Sequence, residues 1–196
     1  MREIALHLLD IAENSVTAGA QLIEIVIEED LVNDKLKIRV KDNGRGMDEA
    51  LLAQVANPFV TSRTTRKVGL GIPLFKAAAE TCCGYLDITS TPGQGTDLEV
   101  EFQRSHIDRM PLGDLTGTWL VLLVGYPEVR WLFQYRAKTP AGINNAEFIF
   151  DSEPIKKELG DDLPLTEPSI LAFIREMLQD GVRSVRSAIN QTELTR

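Results

Sequence analysis

The chain has 196 residues, 21 Lys+Arg against 29 Asp+Glu, and a formal net charge of −8; 43 % of its residues are hydrophobic and 26 % charged. These are globular proportions, which exclude a disordered chain, a collagen-like repeat and a disulfide-dense mini-protein. The acidic balance excludes nucleic-acid binding by bulk charge, which requires a basic surface, and no apolar run approaches the length of a membrane span.

The opening MREIALHLLD turns polar too soon for a signal peptide, so a soluble cytoplasmic protein is expected. Residues 2–18 read as a helix, with Ile4, Leu8, Ile11 and Ala12 at helical spacing and Gly19 as its stop. Two strands follow. Ile23, Ile25 and Ile27 alternate with Glu24, Val26 and Glu28; Leu36, Ile38 and Val40 alternate with Lys35, Lys37, Arg39 and Lys41. An acidic strand beside a basic one would place opposite charges across the pair. A glycine loop, Asn43–Gly46, leads into a short helix from Asp48 to about Ala56.

Residues 57–68 read as irregular, and a helix is expected from Leu70 to Cys83, ending at Gly84. The adjacent Cys82 and Cys83 close no useful loop and read as small apolar filler at that helix end. Strands Tyr85–Ser90 and Asp97–Gln103 flank the turn sequence TPGQG. Beyond Arg104 the pattern predicts a buried helix over Leu112–Gly125 and a hairpin from Val129–Tyr135 and Glu147–Phe150. A short helix is expected over Glu153–Leu159, then a last helix with Thr166 as its N-cap. The apolar face of the last helix (Ile170, Ile174, Met177, Leu178, Val182, Val185, Ile189) suits either a dimer or partner interface, or packing on the chain's own hairpin. The division is therefore 1–104 and an α-ββ-α extension, 105–196.

Four segments carry chemistry. In DIAENSVTAGA (10–20), Asp10 and Asn14 share one helix face, with His7 one turn earlier. Both offer the oxygen ligands that Mg²⁺ prefers, although a solvated helix face shows the same pairing. In DNGRGM (42–47), Asp42 could accept from an exocyclic amine such as adenine's. Gly44 and Gly46 permit a sharp turn and a close approach, and Met47 could pack on a flat ring. In NPFVTSRTTRKVGLGIPLFK (57–76), basic and hydroxyl side chains precede Gly69, Leu70 and Gly71 at a helix start, a pattern suited to phosphate. The order is neither a Walker A loop nor a dinucleotide fingerprint. STPGQGTDLEVEF (90–102) alone is a glycine hairpin.

In this order and spacing the four segments resemble the GHKL ATPase superfamily: DNA gyrase, the heat-shock chaperone ATPase, histidine kinases and the mismatch-repair ATPase MutL. DIAENSVTAGA is similar to the N box, in wording nearest the mismatch-repair enzymes. DNGRGM is similar to the D-x-G-x-G box. NPFVTSR, VGLGIPLFK and STPGQGT resemble boxes of histidine kinases with a short ATP lid. The resemblance covers residues 1–104 and implies a two-layer α/β sandwich, a mixed sheet covered by helices (the Bergerat ATP-binding fold).

It further implies that Asn14 ligates Mg²⁺ through ATP. Asp42 would take the adenine amine with room given by Gly44 and Gly46, and Thr96 would support that end. Gly69 and Gly71 would lie under the phosphates, with Thr64, Thr65, Arg66 and Lys67 in the lid. Where hydrolysing relatives place Glu, this chain has the shorter Asp10, so a catalytic or second metal role for Asp10 is strained in reach. Only about nine residues precede Asp10, against the phospho-accepting hairpin of histidine kinases, and His7 reads as packing or polar-stripe filler. SHIDRMPLGDL (105–115) bears a faint resemblance to small ATP-binding proteins encoded beside iron-only hydrogenases in anaerobic bacteria. Together these features imply a Mg-ATP-binding regulatory protein that turns over ATP slowly or phosphorylates a separate protein. A non-catalytic ATP sensor is the alternative. ATP or ADP and a protein partner are the expected ligands, and a homodimer is compatible.

Overall fold

The computed structural model describes residues 3–56, 71–140, 145–160 and 163–194. Its centre is one six-stranded sheet: β1 (Leu22–Asp30), β2 (Lys35–Asp42), β3 (Tyr85–Thr91), β4 (Gly95–Gln103), β5 (Arg130–Lys138) and β6 (Ala146–Asp151). The spatial order is β3-β4-β2-β1-β5-β6. Only β1 and β5 are parallel; every other neighbouring pair is antiparallel. The sequence pattern changes at residue 104, yet the two halves share this sheet and one hydrophobic core.

The alternation read from sequence sets the two faces. Ile23, Ile25, Ile27, Leu36, Ile38, Val40, Leu98, Val100, Phe102, Trp131, Phe133 and Tyr135 all lie buried beneath the helices. The opposite face is laced with charge. Glu24 faces Lys41 and Glu28 faces Lys37 across β1–β2, as the strand charges suggested. The ion pairs themselves run outward to other strands, with Lys37 to Glu99 at 3.2 Å, Arg39 to Asp97, and Arg136 to Glu28 at 2.5 Å.

The helices are α1 (Ile4–Thr17), α2 (Glu49–Ala56), α3 (Gly71–Thr81), α4 (Leu115–Gly125), α5 (Ser152–Leu159) and α6 (Pro168–Leu194). α1 has no side-chain N-cap. Its first amides instead donate to the carbonyls of Pro111 (3.0 Å) and Leu112 (2.9 Å), which ties the extension to the first helix. α4 starts at Leu115 rather than Leu112, because Asp114 caps it through the Gly117 amide at 2.8 Å. α6 packs on β5 and β6 of its own chain, where Gly181 leaves room for the Phe148 ring.

Two helix-end readings are corrected. Thr166 is not the N-cap of α6: Pro168 takes the first helical position and the Glu167 carbonyl accepts the first helical bond, from Leu171 at 2.9 Å. At the end of α3 the left-handed residue is Cys83, φ +55°, not Gly84. The amides of Gly84 and Cys83 reach the carbonyls of Ala79 and Glu80, a Schellman arrangement. Gly84 is required for a different reason, since a Cβ there would strike the Glu101 carbonyl of β4. Cys82 is buried filler, whereas Cys83 is exposed.

Candidate functional site

A cavity of about 500 Å³ opens between α1, α2, the start of α3 and the β2–β4 side of the sheet. Its walls are mostly apolar: Ile11, Val40, Met47, Leu51, Val55, Ile72, Ile88 and Leu98. Asn14, Ser15, Asp42 and Thr96 supply polar groups, and the exposed Arg45 lies on its border. That volume and a few convergent polar groups suit a small, largely flat ligand.

Asp42 ends β2 and is 8 % exposed. Its Oδ2 accepts from the Ser15 hydroxyl at 2.8 Å; its Oδ1 accepts from the amides of Gly44 at 2.8 Å and Thr96 at 3.3 Å. Thr96 is the register partner of Asp42 across β2–β4. The carboxylate is thus fixed by three elements at once. Charge-assisted bonds to a buried carboxylate are the stronger kind.

The loop after Asp42 is shaped by close approaches. A Cβ on Gly44 would lie 3.0 Å from both Ala18 and Asp42. Gly46 has φ +64°, and a Cβ there would collide with the Thr91 carbonyl. The Met47 amide donates to Ser90 Oγ at 2.9 Å, and Ser90 Oγ lies 3.0 Å from the Thr96 hydroxyl. Asn43 turns the other way: its Oδ1 accepts from the amides of Gln21 and Leu22, fastening the loop to the entry of β1.

At the other end lie α1 and the first turn of α3. Asn14 is exposed at the cavity wall. Asp10 is not among the described residues that line the cavity. Its buried Oδ2 has no hydrogen-bond partner, and a Cβ on Gly71 would collide with it. His7 is buried and stacks on Phe75 with ring centroids 4.6 Å apart. Burial chiefly, and the positive amino terminus, lower its pKa below 6.5; a bond to the Gly71 backbone and the Asp10 charge oppose this. Among the described residues no three His, Cys, Asp or Glu side chains are grouped for a metal ion. A hard cation at Asn14 would need oxygens supplied by a ligand.

Of the residues singled out from sequence, Asn14, Asp42, Gly46, Met47 and Thr96 meet at the cavity, with Gly44 under its floor. Gly71 lies at the α1–α3 contact, beside the lining residue Ile72. Thr64, Thr65, Arg66, Lys67, Gly69 and Leu70 lie outside the described residues. Sequence reasoning missed Ser15, the hydroxyl partner of Asp42. Its one signal was its position four residues after Ile11, on the cavity face.

With this geometry in hand, the profile of the histidine kinase-, DNA gyrase B- and HSP90-like ATPases matches residues 1–106. The chain belongs to this family. Among curated relatives it is similar to the cell-division control histidine kinase PdhS of Brucella anthropi, 32 % identical over 120 residues. It is also similar to the non-motile and phage-resistance protein of Caulobacter vibrioides, 31 % identical over 117 residues. Each match covers 55 % of this chain but only 11 % and 14 % of those proteins. The chain thus spans less than a fifth of the length of the curated relatives it matches. The solved N-terminal domain of a DNA repair protein superposes with a TM-score of 0.52 at 15 % identity, over 76 % of this chain and 52 % of that one, and shows a shared fold. Among the described residues no helix is long and apolar enough to cross a membrane.

Proposed function

We propose that this member of the ATPase family binds Mg-ATP in the cavity and acts as a nucleotide-operated regulatory protein, turning over ATP slowly or passing phosphate to a separate protein. The observation that carries the reading is the Asp42 carboxylate. It is buried, held by Ser15, Gly44 and Thr96, and set in an apolar cavity of about 500 Å³. A carboxylate accepts only, so it selects a ligand edge that donates, and the adenine amine is such an edge. Met47, Ile88 and Leu98 offer apolar surface to the ring.

Asn14 would share Mg²⁺ with the phosphates, the cation screening their charge. Gly69 and Gly71 would lie under those phosphates, and Thr64, Thr65, Arg66 and Lys67 would form the lid. Residues 1–104 would serve as the nucleotide domain and the extension as a surface for a protein partner or a second copy. Val121, Ile149 and Phe173 are more than half exposed there.

Isothermal titration with Mg-ATP and Mg-ADP tests the reading. Binding is expected in the wild type and should be lost in Asp42→Asn; equal binding by both would sink the assignment. One observation favours a second reading, a non-catalytic sensor: Asp10 Oδ2 is packed on Gly71 and Asp10 lies off the described cavity wall. A phosphate-release assay on Asp10→Glu separates the two. A weakened enzyme speeds up when the longer carboxylate restores reach, and a sensor stays inert.

A further inference from the structure

β3 is an edge of the sheet, and no described strand pairs on its outer side. A strand edge presents a row of unpaired amides and carbonyls, which proteins blunt with lysine, proline or a bulge. β3, YLDITST, has neither lysine nor proline, and its register with β4 runs unbroken from Tyr85–Glu101 to Thr91–Gly95. Its only charged side chain is Asp87, which is exposed.

Charge on the open face of the sheet is ordered strand by strand. Lys37, Arg39 and Lys41 of β2 stand opposite Glu101, Glu99 and Asp97 of β4. Arg136 of β5 stands opposite Glu28 of β1 on one side and Glu147 of β6 on the other. Wherever two charged residues of neighbouring described strands are in register, their signs are opposite, with one exception: Asp87 stands opposite Glu99. Like charges directly across a strand pair destabilise it. Glu99 is met by the Tyr85 hydroxyl at 2.6 Å and by Lys37 at 3.2 Å, whereas no described residue bonds to or ion-pairs with Asp87. At the other edge, Glu147 and Asp151 of β6 are both met from β5, by Gln134 and Arg130. The alternation of charge therefore stops one strand short at β3, and the strand that continues it is basic.

We infer that the free edge of β3 docks an extended segment of a partner protein, one in which lysine or arginine alternates with apolar residues, as a seventh strand of the sheet. Main-chain hydrogen bonds supply the affinity and the alternate side chains the specificity. A basic side chain opposite Asp87 answers the unpaired carboxylate, and apolar side chains on the other face extend the row of Leu86 and Ile88. The net charge of −8 draws such a segment in. β2 itself, KLKIRVKD, has this pattern and lies between two acidic strands, paired with both.

A fluorescein-labelled peptide of sequence KLKIRVKD is the probe, titrated into the full chain at low ionic strength and followed by fluorescence anisotropy. Binding is expected, with slowed hydrogen exchange at the amides of residues 85–91. Asp87→Lys should weaken it about fivefold, the size of one exposed ion pair exchanged for repulsion. The same variant should bind the peptide carrying glutamate at all four basic positions better than the wild type does. Asp87→Lys removes the like-charge pair with Glu99, so its Tm should not fall; if it does fall, Asp87→Asn replaces it, with a smaller loss of the basic peptide expected. No binding by the wild type, equal affinity in the variants, or protection outside β3 would each overturn the proposal. A doubled mass with β3 already protected in the peptide-free chain would overturn it too, and would name a second copy as the occupant.

Discussion

Asp42, on the cavity wall, and Asp10, off it at the α1–α3 contact, are two carboxylates whose surroundings differ sharply. Asp42 accepts from one hydroxyl and two backbone amides, contributed by α1, its own loop and β4. Asp10 presents a buried oxygen with no donor, pressed on a glycine of α3. A satisfied buried carboxylate is part of the scaffold, and removing it strands its partners. An unsatisfied one gains no hydrogen-bond energy where it stands. The cavity thus has a rigid end at Asp42, whereas Asp10, off its described wall, leaves Oδ2 without a hydrogen-bond partner.

The largest effect should come from breaking the rigid end. Asp42→Ala leaves the Ser15 hydroxyl and the amides of Gly44 and Thr96 without their acceptor, and should cost about 3 kcal/mol of stability. Nucleotide binding should vanish from titration in the same variant. Urea denaturation reads the first effect, and an unchanged midpoint would erase the contrast with Asp10.

A third carboxylate calibrates it. Burial raises the pKa of Asp30, but bonds from Asn33, Lys138 and Val32 outweigh this and hold it down at about 2. A folded-state pKa below the unfolded value means that the stabilisation is present above about pH 4 and is lost as pH falls towards 2. The depression amounts to about 2 kcal/mol. Denaturation midpoints followed from pH 5 to pH 2 should fall less steeply in Asp30→Asn than in the wild type. Parallel curves would mean that well-bonded carboxylates in this fold contribute less than supposed, Asp42 included.

Asp10→Ala should sit at the other extreme, within about 1 kcal/mol of the wild type and of either sign, because no bond is broken and one unpaired buried oxygen is removed. A loss as large as that of Asp42→Ala would collapse the distinction between the two carboxylates.

The rigid end was more legible in the sequence than the rest. Period-2 alternation located β1 and β2, and a strand ending in Asp-Asn-Gly marked Asp42 and its loop. The partner Ser15 is 27 residues away and meets Asp42 only when α1 docks on the sheet, a contact that no local pattern encodes. The same limit hid the place of β5. RWLFQYRAK reads correctly as half of a hairpin with β6, yet nothing in it names β1 as the parallel neighbour on its other edge. His7 reads as packing or as filler of the polar stripe, and only the docking of α3 shows its ring buried and stacked on Phe75. The residues expected in the lid fall in 57–70, outside the described structure.

The smallest predicted effect separates the two ends of α3 from each other. Cys83 adopts φ +55° in the Schellman turn that closes the helix. The comparable residue at the end of α1 is Gly19, φ +79°, with the same pair of bonds to Ser15 and Val16. A side chain in the left-handed region costs about 1 kcal/mol relative to glycine, and part of that gain is returned through the freer unfolded chain. Cys83→Gly should therefore stabilise the protein by about 0.5 kcal/mol. A rise in Tm of one or two degrees would follow, about what a gain of that size gives in a chain of this length. Cys83 is exposed and remote from Gly71, so Mg-ATP affinity should not move. If it does move, the seating of α3 is governed along its whole length, and the packing of Asp10 on its first residue is not what sets it.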